Sequence, residues 1–326
     1  MRVFLNVTIT QRPYGGTNSF FRALTQKMVD RGVEFVGDIH DDYDVALVST
    51  LTNKIKIDDL AYIQSRRIPV VHRKTGYEYR GSAALRERID GVIVGDRLQI
   101  EFEPYVNHSI FQSQYSFEVF RKAGYEGQHH TIIPNGVNSA VFNLRASSRL
   151  RLGRSRARPF WNGSGTFHFM IVSWSNDARK GFTYYAEFDK ELSSLPHIAV
   201  DFVGQLPIGL SFKNIRAHKP MRFARLAALL KKSHGFLAFS EAETCSNAML
   251  EAISCGLQVI YLDSGSNEEF AAPYGIRYDG DFRQAVAHLM EGYEERARNT
   301  PENVFDIAPV ADRYMEVLRQ VVAGSR

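Results

Sequence analysis

The feature that most constrains this chain is an alternation, met twice along its length, of short β-branched or aromatic runs with longer stretches of helical period. Parallel strands need a crossover connection, and crossover helices cover both faces of the sheet, so this alternation implies doubly wound α/β structure. In the first block residues 3–9, 43–49, 68–72, 108–112 and 131–133 read as buried strands. Residues 18–31 read as a helix, with Phe21, Leu24, Met28 and Val29 on one face. Residues 85–105 carry both strand and helix signals, and local pattern does not decide between them. In the second block strands are expected at 167–173, 198–203, 235–239 and 258–262, and helices at 182–195, 222–232, 246–255 and 282–297. Residues 309–322 form an amphipathic helix with Val310, Tyr314, Val317 and Leu318 together.

At 326 residues the chain exceeds what one hydrophobic core usually organises, so two domains are expected. The boundaries fall at 1–145 for an N-terminal domain, completed by a C-terminal helix over 308–326, and at 167–307 for a C-terminal domain. Between them lies a basic linker, 146–166. With its flank this linker carries Arg145, Arg149, Arg151, Arg154, Arg156 and Arg158. It reads as a solvated basic loop, or as a contact for an acceptor or for membrane phosphate.

A hydrophobic content of 44% with 23% charged residues is that of a folded globular protein. The net charge of +4 suits phosphate-bearing ligands without calling for nucleic acid. Two cysteines, Cys245 and Cys255, are too few for a disulfide scaffold and lack Cys-x-x-Cys spacing. No run reaches the length of a membrane span and none has the form of a signal peptide. The expected location is the cytoplasm, where a peripheral contact with the inner face of the membrane is compatible with the basic segment.

The chemistry concentrates in four places. Ser240-Glu-Ala-Glu-Thr-Cys-Ser-Asn-Ala-Met-Leu-Glu251 follows an expected strand and runs into an expected helix. That puts Glu243 at the C-terminal edge of a parallel sheet, where open α/β folds bind ligands. The amides of Cys245, Ser246 and Asn247 would open the helix, suited to an anion such as a diphosphate. Glu251, over a turn into that helix, could accept from ribose hydroxyls. Read alone, Ser240-x-x-Glu243 is equally a capping box and Glu251 a surface helix residue. Second, Ser173-Trp-Ser-Asn-Asp-Ala-Arg179-Lys180-Gly181 follows another strand, and two adjacent cations there could stabilise a departing diphosphate. Third, Gly15-Gly16 follow the first strand without forming a Gly-x-Gly-x-x-Gly fingerprint, which argues against a dinucleotide oxidoreductase. Fourth, His72 ends an expected strand ahead of a polar, aromatic loop containing Tyr79 and Arg80.

The string from Glu243 to Glu251, with its continuation Leu250-Glu-Ala-Ile-Ser-Cys-Gly-Leu-Gln-Val-Ile260, resembles the Glu-x7-Glu signature of retaining family-4 glycosyltransferases. The resemblance implies the GT-B fold, two doubly wound Rossmann-like domains facing across a cleft. It further implies that Glu243 faces the donor sugar and that Glu251 contacts the ribose. Arg179 and Lys180 then hold the donor diphosphate, with Ser173, Thr244, Cys245, Ser246, Asn247, Gly15 and Gly16 around the donor. A more local similarity, through His72-Arg-Lys-Thr-Gly, Tyr79-Arg80-Gly, residues 111–116 and Pro134-Asn-Gly-Val137, implies that His72 lines the catalytic cleft and that Tyr79 and Arg80 lie on the acceptor side. Lys74-Thr75 and the basic insertion depart from the pattern, and both bear on the acceptor.

The implied reaction transfers a sugar from an α-linked nucleotide diphosphate sugar to a hydroxyl with retention, as part of polysaccharide or glycoconjugate synthesis. It uses no cofactor and no metal, since no Asp-x-Asp motif stands in a loop suited to a metal and Asp41-Asp42 and Asp58-Asp59 read as surface turns. The expected partners are a nucleotide sugar and a saccharide, lipid-linked or other hydroxyl acceptor, with no nucleic acid. The residues also leave open a silent nucleotide-sugar-binding subunit, or a GT-B epimerase or hydrolase.

Overall fold

The structure is a computed structural model that describes residues 1–10, 16–50, 55–76, 98–144 and 161–325. It divides into two compact units, Met1–Ile9 with Phe21–Asn135 and Ile307–Arg326, and Thr10–Phe20 with Gly136–Asp306. The short segment after the first strand, with the opening turn of the first helix, is thus grouped with the second unit.

In the first unit six parallel strands are ordered β2-β1-β3-β4-β5-β6. They are β1 (Arg2–Leu5), β2 (Glu34–Val36), β3 (Val45–Ser49), β4 (Val70–Arg73), β5 (His108–Phe111) and β6 (His130–Ile132). Helix α1 (Gly16–Val29) follows β1, α2 (Ile57–Ser65) follows β3 and α3 (Gln114–Lys122) follows β5. Strand β3 is buried throughout, as its uninterrupted apolar run requires. Phe4, Ala46, Val48 and Val70 meet Leu60 and Ile63 of α2 in one core cluster. Asn6 extends the β1–β3 pairing past the end of the strand, donating to the Ser49 carbonyl and accepting from its amide, both at 2.8 Å. Asp58 and Asp59 lie in the first turn of α2, not in a turn between elements, and Asp59 accepts from the Lys56 amide at 2.7 Å.

The second unit carries β7 (Phe167–Ser173), β8 (Ile198–Gly204), β9 (Arg216–His218), β10 (Gly235–Ala238), β11 (Gln258–Tyr261) and β12 (Gly275–Arg277). Their order is β12-β11-β10-β7-β8-β9, all parallel. The helices are α4 (Phe182–Glu191), α5 (Phe223–Leu230), α6 (Asn247–Ser254), α7 (Asn267–Ala271), α8 (Phe282–Glu291) and α9 (Tyr293–Asn299). Successive strand residues point to opposite faces, and the two cores divide accordingly. Met170, Val172, Phe236 and Ala238 join Leu226 and Leu230 of α5 and Met249 and Ile253 of α6. Phe167, Phe169, Ile171 and Leu237 join Phe182 and Phe188 of α4 and Phe282 and Leu289 of α8. Each such buried side chain contributes about 1.5–3 kcal/mol relative to exposure, so both faces are firmly covered.

The helix expected over 282–297 is divided at Gly292. There the Arg296 guanidinium turns back to the carbonyls of His288 and Leu289, at 3.1 and 2.5 Å, and satisfies the end of α8. The terminal helix α10 (Ile307–Gly324) belongs to the first unit and buries Ala311, Tyr314, Met315, Val317 and Leu318. Arg31 pins it through Asp312 at 2.6 Å, and Arg313 reaches the Ile132 carbonyl at 2.6 Å.

Candidate functional site

In the second unit the chain leaves β7 toward β8 on one side of the sheet and later returns as β10 on the other. The loops following β7 and β10 therefore diverge from neighbouring strands, and the crevice at such a switch point is where open α/β sheets bind ligands. These two loops carry Arg179, Lys180 and Glu243.

The β7 loop is built by Asp177. Its carboxylate accepts from the Arg179 amide at 2.9 Å and from Arg179 Nε and Nη2, both at 3.1 Å. Burial pushes the Asp177 carboxyl up, but these Arg179 bonds outweigh it and hold the group below its ordinary range. Gly181 then turns the chain with φ +79, in the left-handed region, directly against β10. A Cβ at Gly181 would stand 2.4 Å from the Phe239 carbonyl oxygen, so only glycine lets this loop close on the next strand. The Glu241 amide donates to the Arg179 carbonyl at 2.7 Å, joining the loops through backbone. Lys180 Nζ forms an ion pair with the Glu243 carboxylate. The structure thus brings Arg179, Lys180 and Glu243 together.

The β10 loop runs to Ser246, which caps α6 by accepting from the Met249 amide at 3.4 Å. Ser246, not Ser240, is therefore the cap, and the capping-box reading of Ser240 and Glu243 does not apply. The first amides of α6, those of Asn247 and Ala248, have no partner inside the helix by the geometry of helix ends. Cys245 is buried beneath this turn and Cys255 lies at the other end of α6, and neither forms a disulfide. Ser173 is buried at the end of β7 and donates to the Ser175 carbonyl at 2.7 Å, so it shapes the loop. Thr244 is half-buried.

Glu251 is only 4% exposed. Ser19 Oγ donates to its Oε1 at 3.3 Å, and its buried Oε2 has no hydrogen-bond partner among the described residues. Burial pushes the carboxyl up to about 8, opposed by the Ser19 bond. A buried acid with one idle oxygen is a group waiting for a donor. Gly16 sits against Asn247, where a Cβ would stand 2.4 Å from the side-chain nitrogen. Gly15 lies outside the described residues, as do Tyr79, Arg80 and the basic segment over 145–158.

His72 is fully buried in the first unit. Its Nε2 meets Thr50 Oγ1 at 2.8 Å and its Nδ1 meets Lys74 Nζ at 3.0 Å. Burial, then the Lys74 charge, holds it well below its ordinary pKa, hence neutral. Because an ammonium can only donate, Nδ1 accepts and Nε2 carries the proton. As placed, neither ring nitrogen is open to a ligand. Lys74 spends its three donors on His72, the Gln99 carbonyl at 2.5 Å and the Glu103 carboxylate. The departure noted at Lys74 therefore supports the strand ends from within.

Sequence reasoning missed the clamp behind Glu243. The Ser266 amide donates to the Glu243 carbonyl at 2.8 Å, Ser264 Oγ accepts from the Ala242 amide at 3.0 Å, and Asn267 donates to the Ser240 carbonyl at 2.8 Å. The turn run Asp263-Ser-Gly-Ser266 after β11 was the available signal. Gly265, at φ +65, packs on this loop, and a Cβ there would stand 2.4 Å from both the nitrogen and the oxygen of Glu243. Neither backbone atom can swing aside. Gly265→Ala is expected to cost at least about 2 kcal/mol and to displace Glu243. A melting temperature within a degree of the parent protein would show that the loop accommodates the methyl.

Comparison of the sequence with protein-family models finds no match, and comparison with curated proteins finds none. Solved structures do match. The fold is GT-B, two doubly wound parallel-sheet α/β domains. A sucrose-phosphate synthase from Thermosynechococcus elongatus superposes with a TM-score of 0.67 at 13% identity, covering 99% of each chain. HepE from Anabaena, in complex with UDP and glucose, gives 0.67 at 15% identity, over 98% of this chain and 99% of that one. The catalytic domain of starch synthase IV from Arabidopsis thaliana, bound to ADP and acarbose, gives 0.62 at 14% identity, over 95% and 79%.

Proposed function

We propose that this protein is a glycosyltransferase that takes a sugar from an α-linked nucleotide diphosphate sugar and passes it to a hydroxyl acceptor with retention of configuration. The observation that carries the reading is the grouping of Arg179, Lys180, Glu243, the α6 N-terminus and the half-satisfied Glu251 at one topological switch point. In the reaction the bond from the anomeric carbon to the diphosphate oxygen breaks, and a bond to the acceptor oxygen forms on the same face. The acceptor proton leaves with the diphosphate. Lys180 and Arg179 stabilise the charge that develops on the departing group, the task preorganised cations do best in a site that excludes water. Glu243 faces the donor sugar, and Glu251 Oε2 accepts from a ribose hydroxyl. No step calls for a metal. UDP and ADP in the structural neighbours support the donor class.

For the acceptor, the first unit offers a pocket of about 560 Å³ at its own switch point, between β1 and β3, lined by Asn6, Thr8, Asp38, Ile39, Ile55 and Asp59. Carboxylates and an amide beside apolar surface suit a hydroxyl-rich acceptor, consistent with a place in polysaccharide or glycoconjugate synthesis.

The test is a thermal-shift screen against nucleotide diphosphates and their sugars. A ligand at about 100 times its dissociation constant adds about 2.7 kcal/mol, which raises the melting temperature by a few degrees. One base should give the shift, and NMR of the product should then show the donor anomer kept. An inverted product would sink the mechanism, and silence across the panel would sink the donor site.

A further inference from the structure

From Phe202 to Ser240 the chain contains no Asp or Glu but seven Lys and Arg. The remaining chain holds 33 Lys and Arg against 36 Asp and Glu, so the positive net charge of the protein resides in this run. The run includes the loop after β8 and the edge strand β9, then helix α5, which packs on the central strands β7 and β10, and β10 itself. One of its cations is accounted for, because Arg216 forks onto the buried Asp201 at 2.5 and 2.7 Å and His218 joins the same carboxylate at 2.6 Å. Lys213, Lys219, Arg222, Arg225 and Lys232 are exposed, and none has a carboxylate within ion-pair distance among the described residues.

The loop after β8 adds a second, independent signal. Leu206, Leu210 and Phe212 pack inward on the core that contains Phe202. The returning end of the loop is tied by the buried Asp189, which accepts from the amides of Lys213, Asn214 and Ile215 at 2.7–2.8 Å. Ile208, at the tip of this anchored loop, is 101% exposed, as bare as in an extended chain. Because Val203 pairs with His218, Ile208 and Lys219 leave the sheet by the same edge. Charge on an edge strand by itself only blocks edge-to-edge pairing. It does not call for an apolar side chain held out in water.

We propose that the β8–β9 edge of the second unit docks on an anionic lipid surface, with Ile208 entering the headgroup boundary and Lys213, on the same loop, and Lys219, just past the edge strand, facing lipid phosphate. Stable peripheral binding needs two signals, and an apolar tip plus a basic rim supply them. The rim favours an anionic leaflet over a neutral one, and the tip favours a bilayer over a nucleic acid, which offers no apolar interior. This contact is independent of the proposed sugar transfer and separate from the basic segment over 145–158, which lies outside the described residues.

The experiment is co-sedimentation of the full chain with phosphatidylcholine vesicles, with and without one third phosphatidylglycerol. Binding is expected only to the anionic vesicles, and it should fall as salt is raised from about 0.1 M to about 0.5 M. Ile208→Asp should lower partitioning about tenfold. Lys213→Ala with Lys219→Ala should lower it about 25-fold, at roughly fivefold per cation. All four protein forms should keep one melting temperature if Ile208→Asp, the double variant and their combination fold like the parent. Failure of the parent protein to sediment at low salt would overturn the proposal. So would equal sedimentation of Ile208→Asp, conversion of a dimer to a monomer by Ile208→Asp, or binding to heparin and DNA but not to vesicles.

Discussion

Glu251→Gln is expected to stabilise the unliganded protein at pH 8 and to weaken its nucleotide binding at the same time. The carboxyl of Glu251 stands at about 8 in the folded chain against 4.5 when unperturbed, because it is buried. Between those values the folded state holds a proton that the unfolded state has lost, so stability declines as pH rises through the window. At 1.36 kcal/mol per unit, the decline reaches on the order of 4 kcal/mol at its upper end. Glutamine keeps the shape and the Ser19 contact without the titration, so its advantage should grow steadily from pH 5 to pH 8. The binding loss follows from the other oxygen. At pH 8, where the carboxyl is about half ionised, ligand binding can take the ionised form at little cost, and its charge-assisted hydrogen bond contributes about 1.5–3 kcal/mol, so affinity should fall roughly 10- to 100-fold. Denaturant melts of both proteins across the window give the first quantity, and calorimetry gives the second. Parallel stability curves would mean that Glu251 is already ionised when the site is empty.

Lys180→Ala should lower turnover by about 10²–10³, the loss seen when a preorganised group that stabilises developing charge is removed. In the unliganded protein Lys180 is paired with Glu243. On the proposed reading, a bound diphosphate would give the ammonium a stronger partner and release Glu243 to the sugar. The variant should therefore lose kcat far more than donor affinity, because Arg179, fixed by Asp177, and the α6 amides still hold the ground-state diphosphate. A loss below tenfold in kcat would mean that departure of the diphosphate does not depend on Lys180.

The chain shows where a sequence is legible and where it is not. Central strands such as β3, β7 and β10 were readable because burial on both faces demands a run of apolar residues, and such runs are visible without neighbours. The three-residue strands β2, β9 and β12 were not. Arg216-Ala-His218 has no strand pattern of its own and becomes a strand only because β8 offers it hydrogen bonds and Asp201 holds its side chains.

The site divides in the same way. Glu243, Arg179 and Lys180 were visible as charged groups just past expected strands, where the parallel topology puts ligands, but it was the family resemblance of the string from Glu243 to Ile260 that singled them out together with Glu251. His72 illustrates the limit. A histidine at a strand end looks the same whether it faces a ligand or the interior, and only the positions of Thr50 and Lys74 assign its ring nitrogens. The clamp of Ser264, Gly265, Ser266 and Asn267 was equally hidden, since its partner loop lies some twenty residues earlier.

By itself, then, the sequence determined the class of fold, the strands that form the middle of each sheet and the charged groups at their ends. These follow from local periodicity and turn chemistry, which each segment carries alone. Only the tertiary structure decided the edge strands β2, β9 and β12, the pairing of Lys180 with Glu243, the desolvation of Glu251 and the exposure of Ile208. Each of these depends on the distance between segments far apart in the chain, and the free energy of a charge or an apolar side chain is set by what surrounds it.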